Sequence, residues 1–150
     1  MRFHASALRV WHLLMFYEQV DAAPPLYLRM LLPVPIRTEG RKSNVGDEVR
    51  CIYRSGHLTK RITEVDPGRR YAFEVTEQCL NVGGGLRLLG GEYVLQELAP
   101  DRTLVTAVTR YQSPKWPRWF WRPIEAAVCH AFHRHILRAM RRGARPEATT

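Results

Sequence analysis

The chain has 150 residues, 45% hydrophobic and 25% charged, and its 23 Lys+Arg against 14 Asp+Glu give a net charge of +9. That length suits one domain, 1–150, with enough chain to bury a core, and the composition excludes wholesale disorder. No apolar run approaches the ~20 residues of a bilayer span, and the cationic surface favours anionic partners.

Ser6 is placed to cap a short helix from about Ala7 to Tyr17, in which Val10, Trp11, Leu14 and Phe16 recur at helical spacing. Pro24 and Pro25 end it, and Leu26 to Leu32 is expected to form a second short helix after them. From Ile36 to Ser113 the pattern becomes short alternating runs between turn residues. Val49–Tyr53, Leu58–Val65, Tyr71–Leu80, Leu86–Leu98 and Thr103–Gln112 read as strands, with Asp66-Pro67-Gly68 and Ala99-Pro100-Asp101 as turns. Gly90-Gly91 inside the fourth run is expected to be a bulge or sharp bend, and Gly83-Gly84-Gly85 a hairpin turn. Short connections between consecutive runs predict an antiparallel meander. Ser113 to Pro123 reads as an aromatic and basic connector. Beyond it, Ile124, Val128, Phe132, Ile136 and Met140 predict a helix from Pro123 to Arg142, and residues 143–150 a frayed tail.

Short helices, an antiparallel meander and one long C-terminal helix resemble the START/SRPBCC superfamily, polyketide cyclase/dehydrase-like proteins of the helix-grip fold. Local sequence is similar too: Ala5-Ser6-Ala7-Leu8-Arg9-Val10-Trp11, Val45-Gly46-Asp47, and Ile62 to Phe73 with its Asp-Pro-Gly turn. The resemblance covers about residues 5–142. It implies an α+β fold in which a curved antiparallel sheet wraps the long helix, with a cavity between them for a hydrophobic ligand. Family members open with a full strand before the Ala-Ser cap, whereas only Met1 to His4 stand there, so this edge is expected to be the least stable.

Alternation along strands, oriented by the resemblance, selects the lining. Cys51 and Tyr53, Tyr71, Phe73 and Val75, Tyr93 and Leu95, and Val105, Ala107, Thr109 and Tyr111 are expected to face inward, opposed by Val128 and Phe132 of the helix. Several are tyrosines, whose hydroxyls suit a pocket wall, although the same set also suits a solid core. The stretch Lys115 to Arg122 holds Trp116, Trp119, Phe120 and Trp121, which fit either a cap on the core or a lid and contact for an anionic membrane. Eight cations follow Ser113 against Glu125 and Glu147, so this end carries most of the charge.

No metal site is expected. Glu125, Cys129 and His133 are spaced i, i+4, i+8, yet His130 and His135 point elsewhere around the helix and no second ligand cluster is evident. No phosphate-loop, GxSxG or HExxH motif is present, so neither cofactor nor catalytic residue is assigned. Cys51, Cys79 and Cys129 are an odd number without CxxC spacing, and the N-terminus lacks a secretory pattern, which favours reduced thiols in the cytoplasm, with or without peripheral attachment to the inner face of the membrane. The leading reading is a module that binds or transports a lipid, isoprenoid or polyketide-like molecule. The alternative is a polyketide cyclase/dehydrase-type enzyme. Nucleic acid is not expected as a partner, because no reader motif accompanies the basic residues.

Overall fold

The computed structural model describes residues 1–16, 35–82 and 84–143. In chain order they form β1 (Arg2–Phe3), α1 (Ala7–Phe16), β2 (Pro35–Gly40), β3 (Glu48–Tyr53), β4 (Gly56–Asp66), β5 (Arg70–Cys79), β6 (Arg87–Ala99), β7 (Arg102–Gln112) and α2 (Arg118–Gly143). The expected helix at Leu26–Leu32 and the tail after Gly143 lie outside the described residues. All seven strands join one antiparallel sheet in the order β1-β7-β6-β5-β4-β3-β2, a curved meander with β1 returned beside β7.

Local chemistry accounts for the elements. Ser6 caps α1, its Oγ accepting from the Arg9 amide at 3.3 Å. The loop before β3 closes on Asp47, whose carboxylate accepts from the Ser43 and Asn44 amides. The Gly90-Gly91 bulge is present as a register shift between Leu88 and Gly90. Gly91 also makes room: a Cβ there would stand 3.0 Å from Cζ of Phe73 and 2.7 Å from the Val108 carbonyl oxygen. A second bulge, between the Thr59↔Glu77 and Lys60↔Val75 pairs, turns Glu77 and Cys79 to the face opposite Val75.

The core gathers on the concave face. Val10, Trp11 and Leu14 of α1 and Leu137 and Met140 of α2 pack on Phe3, Ile62, Tyr71, Tyr93, Leu95 and Val105. The Trp11 ring meets Tyr71 edge-on at 6.1 Å. A second cluster, Val49, Cys51 and Leu58 with Tyr53, Val75, Leu80 and Leu88 against it, continues the same face.

Two expectations about α2 need correction. The helix begins at Arg118 rather than Pro123, taking in half of the supposed connector; the Pro117 carbonyl accepts from the Phe120 and Trp121 amides at 3.2 and 3.3 Å. Pro123 sits only one turn inside, where its missing N–H forfeits a single bond, to the Trp119 carbonyl. The buried face also differs from the expected stripe. A strict four-residue spacing advances 40° per step beyond full turns, so the row that buries Met140 emerges at Phe132 and Ile124, 36% and 42% exposed. The expected lining residue Phe132 is therefore on the rim, and Val128 is half-buried. Glu125, Cys129 and His133 take the inward positions instead.

Candidate functional site

Of the expected lining, Tyr71, Tyr93, Leu95 and Val105 are buried in the main cluster, with Phe73 and Ala107 packed against it. Cys51 is buried in the second cluster beside half-buried Tyr53 and Val75. Thr109 and Tyr111 continue the β7 row to its end, half-buried, opposite Gly91 and Leu88. The concave face is thus one surface with two ends: a closed one under α1 and the last turns of α2, and a half-covered one running from Tyr53 to Tyr111.

Near the closed end, Leu14, Lys42, Val49, Lys60, Ile62, Tyr71, Phe73 and Tyr93 line a recess of about 10 Å³, room for one water molecule. The Tyr71 hydroxyl donates to the Lys42 carbonyl oxygen at 3.1 Å, and the Lys60 ammonium lies 4.7 Å from the centre of the Phe73 ring. Sequence reasoning passed over Lys60, although its alternation with Leu58 and Ile62 marks it as inward-facing.

The half-covered end carries the polar groups, held between β7 and the stretch of α2 from Arg118 to His133. Glu125, 6% exposed, accepts from Arg118 through both oxygens (3.1 and 2.9 Å) and from the Ser113 hydroxyl (2.5 Å). Arg118 and these hydrogen bonds hold its carboxyl below the ordinary value against the opposing effect of burial. Burial, with the Glu125 carboxylate nearby, pushes the Tyr111 phenol up, so it stays protonated and able to donate. Two turns further along α2, His133 Nε2 lies 2.7 Å from the Thr109 hydroxyl and 3.8 Å from the Cys129 sulfur. Burial lowers the His133 imidazole and raises the Cys129 thiol. Both are neutral at pH 7, so the pair is not an activated thiolate nucleophile. What the arrangement offers is a neutral imidazole able to take a proton, a phenol able to donate a hydrogen bond, and a buried carboxylate held by a half-exposed arginine.

The i, i+4, i+8 spacing of Glu125, Cys129 and His133 had already placed them on one helical face. Their partners Ser113 and Arg118 were missed, because both stand in a stretch read as connector. The structure also brings together His57, Glu77 and Cys79, contrary to the expectation that no second cluster of ligating groups exists. Cross-strand pairing sets His57 against Cys79, with His57 Nε2 2.9 Å and the Cys79 sulfur 3.4 Å from Glu77 Oε1. These side chains lie on the opposite face of the sheet and bond one another.

The four aromatics at the start of α2 divide. Trp121 is half-buried, with the Lys115 ammonium 4.6 Å from its ring centre. Trp116, Trp119 and Phe120 are exposed and do not cap the core.

No family model and no curated protein matches the sequence at a significant level. Solved structures do. The Zhui aromatase/cyclase from Streptomyces sp. R1128 is similar over 100% of this chain and 95% of its own, with a TM-score of 0.59 and 20% identity. Norcoclaurine synthase from Thalictrum flavum, in complex with dopamine and hydroxybenzaldehyde, is similar over 92% of this chain and 83% of its own, with a TM-score of 0.53 and 16% identity. The di-domain ARO/CYC BexL from the BE-7585A biosynthetic pathway is similar over 95% of this chain but 43% of its own length, at 0.55 and 16%. Likeness at these identities shows the fold, a helix-grip arrangement of a curved antiparallel sheet and a long C-terminal helix. Among the described residues, no helix is long and apolar enough to cross a membrane.

Proposed function

We propose that the protein binds an apolar or amphipathic small molecule, aromatic or polyketide-like in character, against the half-covered end of its concave face. The observation that carries this reading is the row Tyr53, Val75, Leu88, Thr109 and Tyr111. It continues the core face outward but is only half-buried, and polar groups converge at its end. Apolar surface there would leave water on ligand binding at roughly 25 cal/mol per Å². Tyr111 and the neutral His133 would orient a carbonyl or hydroxyl. The names of the structural neighbours support an aromatic ligand: one is an aromatase/cyclase, another holds dopamine and hydroxybenzaldehyde. The recess near Tyr93 holds about one water, so it is too small for such a ligand unless side chains move. Free cysteines at 51, 79 and 129 suit a reducing compartment such as the cytoplasm.

A second reading is favoured by the Thr109–His133–Tyr111 group. In a cyclase/dehydrase-type enzyme, His133 would accept a proton from a substrate carbon beside a carbonyl that Tyr111 polarises. Native mass spectrometry of the purified full chain tests the first reading. A co-purifying apolar molecule, lost from Tyr111→Phe or Leu88→Trp, is expected. An apo mass alone, together with no binding of added aromatic polyketide-like compounds, overturns it. Turnover of such a compound by the wild type, abolished in His133→Gln with affinity kept, establishes the enzyme instead.

A further inference from the structure

The outer face of α2 carries exposed aromatic side chains at one end and arginines at the other. Trp116 and Trp119 are 84% and 79% exposed, Phe120 and Ile124 stand exposed beside them, and the Trp119 and Phe120 rings meet edge-on at 6.1 Å. Isolated exposed apolar residues are ordinary, but exposed rings in contact, with a second exposed tryptophan three residues before them, mark a contact site. At 100° per residue, Phe120, Ile124, Arg134, Arg138 and Arg142 fall on one side of the helix. Every arginine in that set is exposed. The aromatic end and the centre of the arginine end are about 27 Å apart along the axis, at 1.5 Å per residue. The acid of α2 is Glu125, which is turned inward and held by Arg118, so the outer face carries cations without a carboxylate.

We propose that this face is a binding site for anionic phospholipid surfaces. Tryptophan suits the headgroup boundary, where its ring leaves water while its N–H keeps a partner, and arginine meets phosphate oxygens. The helix therefore docks along its length, aromatic end inserted and arginine end on the headgroups, leaving the sheet and the half-covered cleft behind it. Charge argues against a second copy of the chain as the occupant, since two such faces would oppose their arginine rows. The site does not depend on which ligand fills the cleft.

Flotation of the full-length chain tests it, using vesicles of phosphatidylcholine alone or mixed with phosphatidylserine. Wild type is expected to float with the mixed vesicles, poorly with phosphatidylcholine, and less as salt rises. Trp116→Ala with Trp119→Ala should abolish flotation. Arg138→Gln should lower partition about fivefold at low salt and flatten the salt dependence. Thermal unfolding of each variant should match wild type, since all these side chains are exposed. Failure of wild type to float with either vesicle overturns the proposal, as does flotation that survives the double tryptophan change. A Trp119-dependent dimer without lipid binding, or tighter binding to duplex DNA than to the mixed vesicles, assigns the face to another partner and overturns it too.

Discussion

The two ends of the concave face are made by the same strands and serve different purposes. At the closed end Phe3, Val10 and Val105 are fully buried and Met140 is 1% exposed, because α1 and the last turns of α2 both lie over β6 and β7. At the other end Tyr53, Val75, Leu88, Thr109 and Tyr111 are half-buried, and the facing side chains of α2 are Cys129, His133 and Glu125 rather than Leu or Met. One helix thus supplies an apolar half that contributes to stability and a polar half that leaves space and chemistry. Stability and binding are separable along its length.

Substitutions should break that division in a graded way. Met140→Ala opens a cavity in the closed end and should cost about 2–5 kcal/mol, read as a lower urea midpoint with unchanged slope. Glu125→Gln removes the charge that Arg118 faces and should cost about 1–2 kcal/mol, the pair being discounted because the arginine is partly in solvent. Its pH signature has a definite sign. The Glu125 carboxyl is lowered in the folded chain, so its contribution is complete above the ordinary carboxylate value of about 4.3 and is lost as pH falls through the lower folded value. Urea midpoints measured from pH 6 downward (on the order of one-unit steps) should fall less steeply in the Gln variant than in wild type over that range.

Leu88→Ala, at the half-covered end, should cost about 1 kcal/mol or less, because little area there leaves water on folding. A loss equal to that of Met140→Ala would mean the two ends are packed alike, and would sink the comparison. His133 sharpens it from another side. Burial lowers its imidazole, so stability should fall as pH drops below about 6.5, where the unfolded chain takes up a proton that folded His133 refuses. NMR titration of its ring should give a midpoint below that of solvent-exposed histidine, and ligand bound over Tyr111 should lower it further. The smallest effect is expected for Trp116→Ala with Trp119→Ala, within about 0.5 kcal/mol of wild type by thermal unfolding, as both rings stand in water.

The order of elements was legible because it rests on local chemistry. Alternation along β3 to β7, the Asp-Pro-Gly turn and the Ser6 cap act within a few residues, and each is found where the residues place it. The strand β2 was not singled out, since Pro35–Gly40 is short and edge-like, with two of its six residues Pro and Gly. Strand parity oriented by the resemblance also put Tyr71, Tyr93, Leu95 and Val105 on the core side, because a period of two leaves only one such choice once a single strand is set.

What depended on distant partners was not legible. A helix of 26 residues shows its hydrophobic row at every turn, but which row meets the sheet is set by how α2 crosses β7, and that crossing put His133 and Glu125 inward where Phe132 and Ile124 were expected. Thr109 is 24 residues from His133 and Ser113 is 12 from Glu125, so their hydrogen bonds exist only once the helix has returned to the strand. His57 and Cys79 meet only through the β4–β5 register, with a bulge that reverses the facing of Glu77. Composition, periodicity and turn residues determined most of the elements and their order, and the resemblance oriented the strands' inner faces. Tertiary packing alone decided which polar groups share a site, because a hydrogen bond needs placement within a few tenths of an ångström and sequence spacing constrains that only along a single element.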